Sequence, residues 1–436
     1  MPFPLRVLHV SQPTHGGVAV YVVQAAREQV RRGWRVAVAC PGEGELAADL
    51  AAAGIDHLPW RARRSPGPGM LGEASRLRAL VERFDPDVVH LHSSKAGLVG
   101  RFPLVAPGRR VIFQPHGWSW LAAGGVQGRA SLHWERLAAR RADALVCVGQ
   151  GELEQGRRAG VHGPVHLVRN GVDRRRFYPM DADDRAAARA ELGLPLNTPI
   201  AVCVGRVTRQ KGQDVLLDAW PLIRARCPEA VLALVGDGDD VDRLCAQAGP
   251  GVIFVPAVAD TRRWLAASNV MVLPSRWEGL PLTALEALAV GRSLVATEIP
   301  GLAEVVTPGT GALVAADDPG SLADAVAARL LDPALADAEG VAGSAGAAAF
   351  DSAVTFARLA EVTYGLVGDP AADGEGVDVV APEVAGIGAG PLLVGAEGVS
   401  AVGAGSGRVG VDRVGAGSGA AGVDGSDEAG SGVPCG

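Results

Sequence analysis

The chain has 436 residues, of which 48% are hydrophobic and 20% charged, enough for two domains plus an extension. Its six cysteines (Cys40, Cys147, Cys203, Cys227, Cys245, Cys435) are dispersed without metal-like pairs, and no apolar run approaches the length of a membrane span. These features argue against a zinc module and a spanning protein, and for reduced thiols in a cytoplasmic chain whose membrane contact is peripheral. The N-terminus runs straight into a strand without a signal-peptide pattern.

The formal charge of −7 conceals an asymmetry: residues 1–180 carry 25 Arg and Lys against 14 Asp and Glu, residues 181–436 carry 16 against 34. A basic front half fits an anionic partner, such as a phosphorylated acceptor or the acidic inner face of a membrane; it also fits a merely soluble basic face. No nucleic-acid partner is expected. Only Lys95 and Lys211 are lysines among the 41 cations, so a lysine in this arginine-rich background invites a specific role.

In chain order, short apolar runs alternate with amphipathic stretches, the pattern of a doubly wound parallel sheet. Leu5 to Ser11 reads as a strand, residues 12–17 as a polar loop, Val18 to Arg32 as a helix and Arg35 to Cys40 as the second strand. Later strands are read at Asp87 to Ser93, Arg109 to Gly117 and Ala144 to Gly149. Ligands of such sheets sit at the carboxyl ends of strands. There, Gly16 and Gly17 allow close backbone approach and anion binding at a helix start, or a plain turn.

His90 and His92 read as packed residues, whereas His116, followed by Gly117, reads as facing the cleft. Trp118, Trp120 and Leu121 form either a plug under a loop or a platform for lipid or sugar. Arg61, Arg63 and Arg64 could bind lipid phosphates, or be simply solvated. Asn170 and Gly171 are turn formers ahead of a linker helix within 181–199.

The second half opens with an apolar strand ending at Gly205, followed by Arg206 and then by Lys211 and Gly212 before a helix. Two cations are thereby aimed at a strand's carboxyl end. Ala230 to Asp240 is a strand running into the glycine turn of Gly236 and Gly238. Val270 to Ser275 reads as a buried strand feeding a helix whose first residue is Pro281. Glu278 lies in the turn before that helix and Glu286 inside it. By spacing alone, the two acids fit an ordinary helix with solvated carboxylates as well as a site. Phe350 to Leu366 reads as a terminal amphipathic helix. Residues 368–436, rich in Gly, Ala, Val and Ser with VGAGSG repeated, read as a disordered tail or a gene-prediction artefact.

Taken together, EGLPLTALEALAVG (an E-x7-E string), GR-x4-KG at Arg206 and Lys211, the GDG turn, NGVD, HLHSSKAGLVGR and PHGWSW resemble the retaining glycosyltransferases of family 4. The likeness spans Leu5 to about Val367. It implies the GT-B fold, two Rossmann-like α/β domains facing a cleft: an acceptor-side domain (1–180), a nucleotide-sugar domain (181–349) and a crossover helix (350–367). It implies a nucleoside-diphosphate sugar as donor, a glycan, lipid-linked or small-molecule acceptor, and retention without cofactor or metal ion.

By residue, the resemblance implies that Arg206 and Lys211 hold the donor diphosphate, Glu278 and His116 the sugar, and Glu286 the ribose. Gly16, Gly17, Gly205, Gly236, Gly238, Gly279 and Leu280 complete the donor site. No acidic pair stands where a metal would need it: Asp239 and Asp240 follow the GDG turn, and Asp317 and Asp318 read as a helix start. Two other classes share the architecture or its ligand, a nucleotide-sugar 2-epimerase and a non-catalytic nucleotide-sugar sensor. A phosphorylase would need a pyridoxal-binding lysine, for which neither lysine is suited.

Overall fold

The computed structural model describes residues 4–368. The first half forms a seven-stranded sheet in the order β3-β2-β1-β4-β5-β6-β7. Its strands are β1 (Arg6–Ser11), β2 (Arg35–Cys40), β3 (Asp56–Pro59), β4 (Val88–His92), β5 (Arg110–Gln114), β6 (Ala144–Cys147) and β7 (Val165–Leu167). The second half forms a six-stranded sheet in the order β10-β9-β8-β11-β12-β13. Here the strands are β8 (Ile200–Val204), β9 (Val231–Val235), β10 (Val252–Val255), β11 (Val270–Leu273), β12 (Ser293–Thr297) and β13 (Gly311–Val314). Every named pairing is parallel.

Helices cover both faces of each sheet, which explains the near-continuous apolar runs. In the first sheet, Val7, Val36, Val38, Val88 and Ile112 enter one core and Leu8, Val10, Val89, Leu91 and Phe113 the other, as a period of two requires. Strand order reverses between β1 and β4, and again between β8 and β11. A crevice opens at such a switch point beyond the carboxyl ends of the strands. The loops that emerge there are those of Gly16, Arg206 and Glu278.

Several local readings change. The strands read as reaching Gly117, Gly149 and Ser275 end at Gln114, Cys147 and Leu273, and Pro281 is the residue before the helix Leu282–Val290, with extended backbone (φ −72°, ψ 128°), rather than its first turn. Cys40, Cys147, Cys203 and Cys227 are buried free thiols. Among the described residues, no helix is long and apolar enough to cross a membrane. The last helix, Ser352–Gly368, reaches the first residue of the presumed tail; the rest of that stretch lies outside the described residues.

The last helix belongs to the first sheet's core, where it buries Phe356, Leu359, Ala360 and Val362. Its start is stitched to the end of the first half. The Val172 amide donates to the Phe350 carbonyl (2.8 Å), the Ser352 amide to the Val172 carbonyl (3.0 Å) and the Thr355 hydroxyl to the Arg169 carbonyl (2.8 Å). Gly171 is required by this approach rather than by a turn, since a Cβ there would lie 2.6 Å from the Ser352 nitrogen and 2.5 Å from Thr355 Oγ1. Gly171→Ala is therefore expected to lower stability by roughly 1–3 kcal/mol in urea unfolding. Gly42→Ala, where the added methyl meets nothing within 4 Å, should unfold close to wild type.

Candidate active site

On the second-domain side, the loop after β8 and the turn after β9 pack backbone against backbone. A Cβ on Gly236 would stand 2.2 Å from the Gly205 carbonyl oxygen, and one on Gly238 2.1 Å from that of Val207. These glycines therefore bring the two loops together whatever ligand follows. Gly205 itself has φ 155° and hands the chain to Arg206, whose carbonyl accepts from Gln213 Nε2 (2.9 Å).

Lys211 and Glu278 face one another across this pocket, with Nζ 2.6 Å from Oε1 and side chains 14% and 7% exposed. The Ser275 hydroxyl donates to the same carboxylate oxygen (2.8 Å). Gln210 donates to the Trp277 carbonyl (3.0 Å) and accepts from Arg206 Nη2 (3.2 Å). Burial holds the Arg206 guanidinium below its ordinary pKa, and Arg64 adds to that effect. Arg276 points the other way and clamps the loop by pairing with Asp214 (2.8 Å) and Asp317 (2.7 Å).

Glu286 has a different environment from Glu278. It sits half-buried on the helix Leu282–Val290 with the Thr261 hydroxyl 3.4 Å away. Burial pushes its carboxyl up to about 7; Arg176 opposes this and Asp260 adds to it. The residue as a whole retains some exposure, but its acid end is enclosed, and the upward direction follows from that enclosure.

The first domain supplies the facing wall. A Cβ on Gly16 (φ 73°) would lie 3.8 Å from Arg206 Cδ, and one on Gly17 3.8 Å from Leu282 Cδ1. Gly17 opens the helix Gly17–Arg31, so its free amides are set at the second domain's cationic loop. His116 adopts the left-handed region (φ 53°), which is rare for a residue with a side chain. The next residue, Gly117, abuts the Glu278 turn: a Cβ on Gly279 would fall 3.3 Å from its nitrogen. Leu280 is buried, and its carbonyl accepts from Asn170 Nδ2 (2.7 Å).

Two participants, Glu152 and Glu304, were not singled out from sequence. Glu152 lies buried behind His116, accepting from the amides of Gly117 (2.5 Å) and Val148 (2.7 Å). Burial raises it to about 7 against those two bonds. Sequence showed it only as an acid in a helix's first turn. Glu304 reaches from the second domain to accept from the Gly151 amide (2.5 Å). Lys95 pairs with buried Glu73 (2.6 Å) and donates to the Ser65 carbonyl (3.2 Å), pinning the arginine loop. From that loop Arg64 reaches Asp239 (3.5 Å). Trp118 and Trp120 stack at 4.7 Å, and the Trp118 indole donates to the Glu152 carbonyl (2.7 Å). Trp118 is thus a packed plug.

A family model described as Glycosyltransferase Family 4 matches residues 15–176, and one described as Glycosyl transferases group 1 matches residues 198–332. The chain is 32% identical over 366 residues to the alpha-maltose-1-phosphate synthase of Mycolicibacterium smegmatis, covering 76% of this chain and 90% of that one. It is 32% identical over 367 residues to the same organism's GDP-mannose-dependent alpha-(1-6)-phosphatidylinositol monomannoside mannosyltransferase, covering 78% and 92%. Among solved structures, Anabaena Alr3699/HepE in complex with UDP and glucose superposes with a TM-score of 0.72 at 22% identity, over 82% of this chain and 99% of that one. The chain therefore belongs to glycosyltransferase family 4, has the GT-B fold, and is an enzyme of the hexosyltransferase type.

Proposed function

We propose that this enzyme moves a hexosyl-type sugar from a nucleoside-diphosphate sugar to a hydroxyl of a glycan, a lipid-linked glycan or a small molecule. Transfer retains the anomeric configuration and uses no metal ion. The observation that carries this reading is the Lys211–Glu278 pair, 2.6 Å apart beside Arg206 and opposite Gly16.

The chemical difficulty lies in the leaving group, whose diphosphate gains negative charge as the bond to the sugar breaks. Arg206 and Lys211 supply fixed positive charge there, and the amides following Gly16 supply aligned dipoles. When diphosphate arrives, Lys211 exchanges part of its contact with Glu278 for phosphate oxygen. Glu278, still held by Ser275, turns its acceptors to sugar hydroxyls. Glu286 accepts from the ribose hydroxyls, and His116 hydrogen-bonds the sugar near the reacting carbon. Gly205, Gly236, Gly238, Gly279 and Leu280 shape the walls.

Glu278 is committed to Lys211 and Ser275, which disfavours it as a nucleophile. The acceptor hydroxyl attacks the anomeric carbon on the face the diphosphate leaves. A new C–O bond forms as the old one breaks, and the hydroxyl proton passes to the departing phosphate oxygen. The metal-free reading is supported by the fate of the acidic pairs. Asp239 pairs with Arg64, Asp240 with Arg243 and Asp317 with Arg276, while Asp318 caps a helix. The basic first domain suits an acceptor with negative charge or peripheral contact with an anionic membrane on the cytoplasmic side.

Replacing Lys211 with Ala should lower turnover by roughly 100-fold, as expected for losing one preorganised charge-stabilising donor; a steady-state rate within a few-fold of wild type overturns its role. With a competent donor, activity should persist in excess EDTA and NMR of the product should show the donor's anomeric configuration. Loss reversed by magnesium, or inversion, overturns the corresponding half of the scheme. An isomerised sugar from donor alone points instead to the epimerase.

Glu286 supplies a pH test. Burial holds its folded carboxyl at about 7, above the ordinary value of about 4.5. Its contribution to stability is therefore intact below about pH 4.5 and is lost as pH rises through 7. Glu286→Gln should raise unliganded stability at pH 8 by at most about 3 kcal/mol while matching wild type near pH 4.5. In wild type, donor affinity should rise from pH 6 to 8 as the carboxylate forms, and the variant should lose that dependence. Parallel profiles for both proteins exclude the ribose role.

A further inference from the structure

Four histidines gather under the switch point of the first sheet. His9 on β1 pairs in register with His90 on β4, so alternation turns His9, His90 and His92 to one face. The helix Gly17–Arg31 covers that face with Tyr21 and Gln29, and His116 closes the group from the loop after β5. His9, His90 and His92 are wholly buried and Gln29 is 2% exposed.

Within this group, hydrogen bonds run in a single file. Gln29 Oε1 lies 2.8 Å from His9 Nε2, His9 Nδ1 lies 2.8 Å from His92 Nε2, and His92 Nδ1 lies 3.0 Å from His116 Nε2. His90 stands outside the file, stacked on His92 with ring centroids 4.0 Å apart. Tyr21 meets the His116 ring edge-on at 4.9 Å.

We propose that Gln29, His9 and His92 are positioning residues that fix the tautomer of His116, so that its Nδ1 lone pair accepts a hydrogen bond from a hydroxyl at the transfer site. A neutral imidazole has one N–H and one lone pair, so a file that uses both nitrogens of His9 and His92 can run in only two directions. An amide oxygen only accepts. Gln29 Oε1 therefore demands N–H at His9 Nε2, which leaves a lone pair at His9 Nδ1. That lone pair demands N–H at His92 Nε2, and by the same step N–H at His116 Nε2.

Neutrality of every ring is secured by the surroundings: burial pushes His9 down to about 4 and His116 to about 3, and holds His90 and His92 well below the usual imidazole value. The left-handed backbone of His116 fits the same picture. Such strain persists where neighbours over-determine a side chain, and the bond from His92 and the edge of Tyr21 do so. A tri-histidine metal centre is the competing use of His9, His90 and His92, whose ring nitrogens lie within 4.8 Å of one another. The group contains no carboxylate to balance a buried dication, and two of its three rings are already bonded to each other.

The first arm of the test is independent of activity. Long-range 1H–15N spectra of the ¹⁵N-histidine-labelled full chain at pH 7.5 should show His9, His92 and His116 neutral and protonated at Nε2. In Gln29→Met, of similar volume but without an acceptor, the His116 signals should move to a tautomer mixture. A His116 protonated at Nδ1 in wild type, a cationic ring in the file, or His116 signals indifferent to Gln29→Met each overturns the proposal. So does stoichiometric zinc bound to the purified protein. The wild-type spectrum decides even if the variant fails to fold.

The second arm rests on the transfer function proposed above. Gln29→Met should lower kcat about 10-fold with donor KM within two-fold, and Gln29→Glu, which restores an oxygen acceptor, should recover most of it. A general loss of fold would move KM and melting temperature together and overturn the positioning role. If no sugar transfer is found but the tautomers are as expected, the function fails and the file stands.

Discussion

Much of this molecule turns on one enclosed ion pair. Lys211 and Glu278 lie on different loops, 67 residues apart in sequence, and their contact exists only because β8 and β11 are neighbours at the switch point of the second sheet. Removing either partner of so enclosed a pair leaves an uncompensated charge, at a cost of roughly 3–5 kcal/mol when burial is complete. The pair leaves neither charge stranded, because each has its counter-charge 2.6 Å away. Ser275, Gln210 and the Arg276 clamp keep that arrangement from collapsing.

The facing wall is built by close backbone approach rather than by charge. Gly117 against Gly279, Gly16 against Arg206, and Asn170 on the Leu280 carbonyl bring the first domain to the pocket with almost no side-chain bulk between them. Glu152 and the histidine file then stiffen that wall from behind. The same economy operates at Gly171, where the last helix returns to the first sheet. Small residues at these points permit the contact, and buried hydrogen bonds give it direction.

The histidine file and the ion pair divide the work between order and charge. The file is neutral and buried, so its influence is directional: it selects which nitrogen of His116 carries a proton. The ion pair and Arg206 are charged, so in the transfer proposed above their influence is Coulombic and acts where negative charge develops.

By itself, the sequence determined the alternation of buried strands and amphipathic helices, the order of the motifs and the candidates at strand ends. Sheets covered on both faces print apolar runs, and loops at their carboxyl ends carry the glycines and charges that remain. It also offered Arg206, Lys211, His116, Glu278 and Glu286 as candidates, the first four because they follow strands and Glu286 because it lies in the helix Leu282–Val290 of the same string as Glu278. Only the tertiary structure decided that Lys211 bonds Glu278, that Gly171 serves the approach of Ser352, that Asn170 ties two halves rather than making a turn, and that His9 joins His92 across 83 residues. Glu152 was invisible for the same reason: in sequence it is one more acid at a helix start. These contacts depend on which strands become neighbours, and no local pattern encodes that until the sheet has formed.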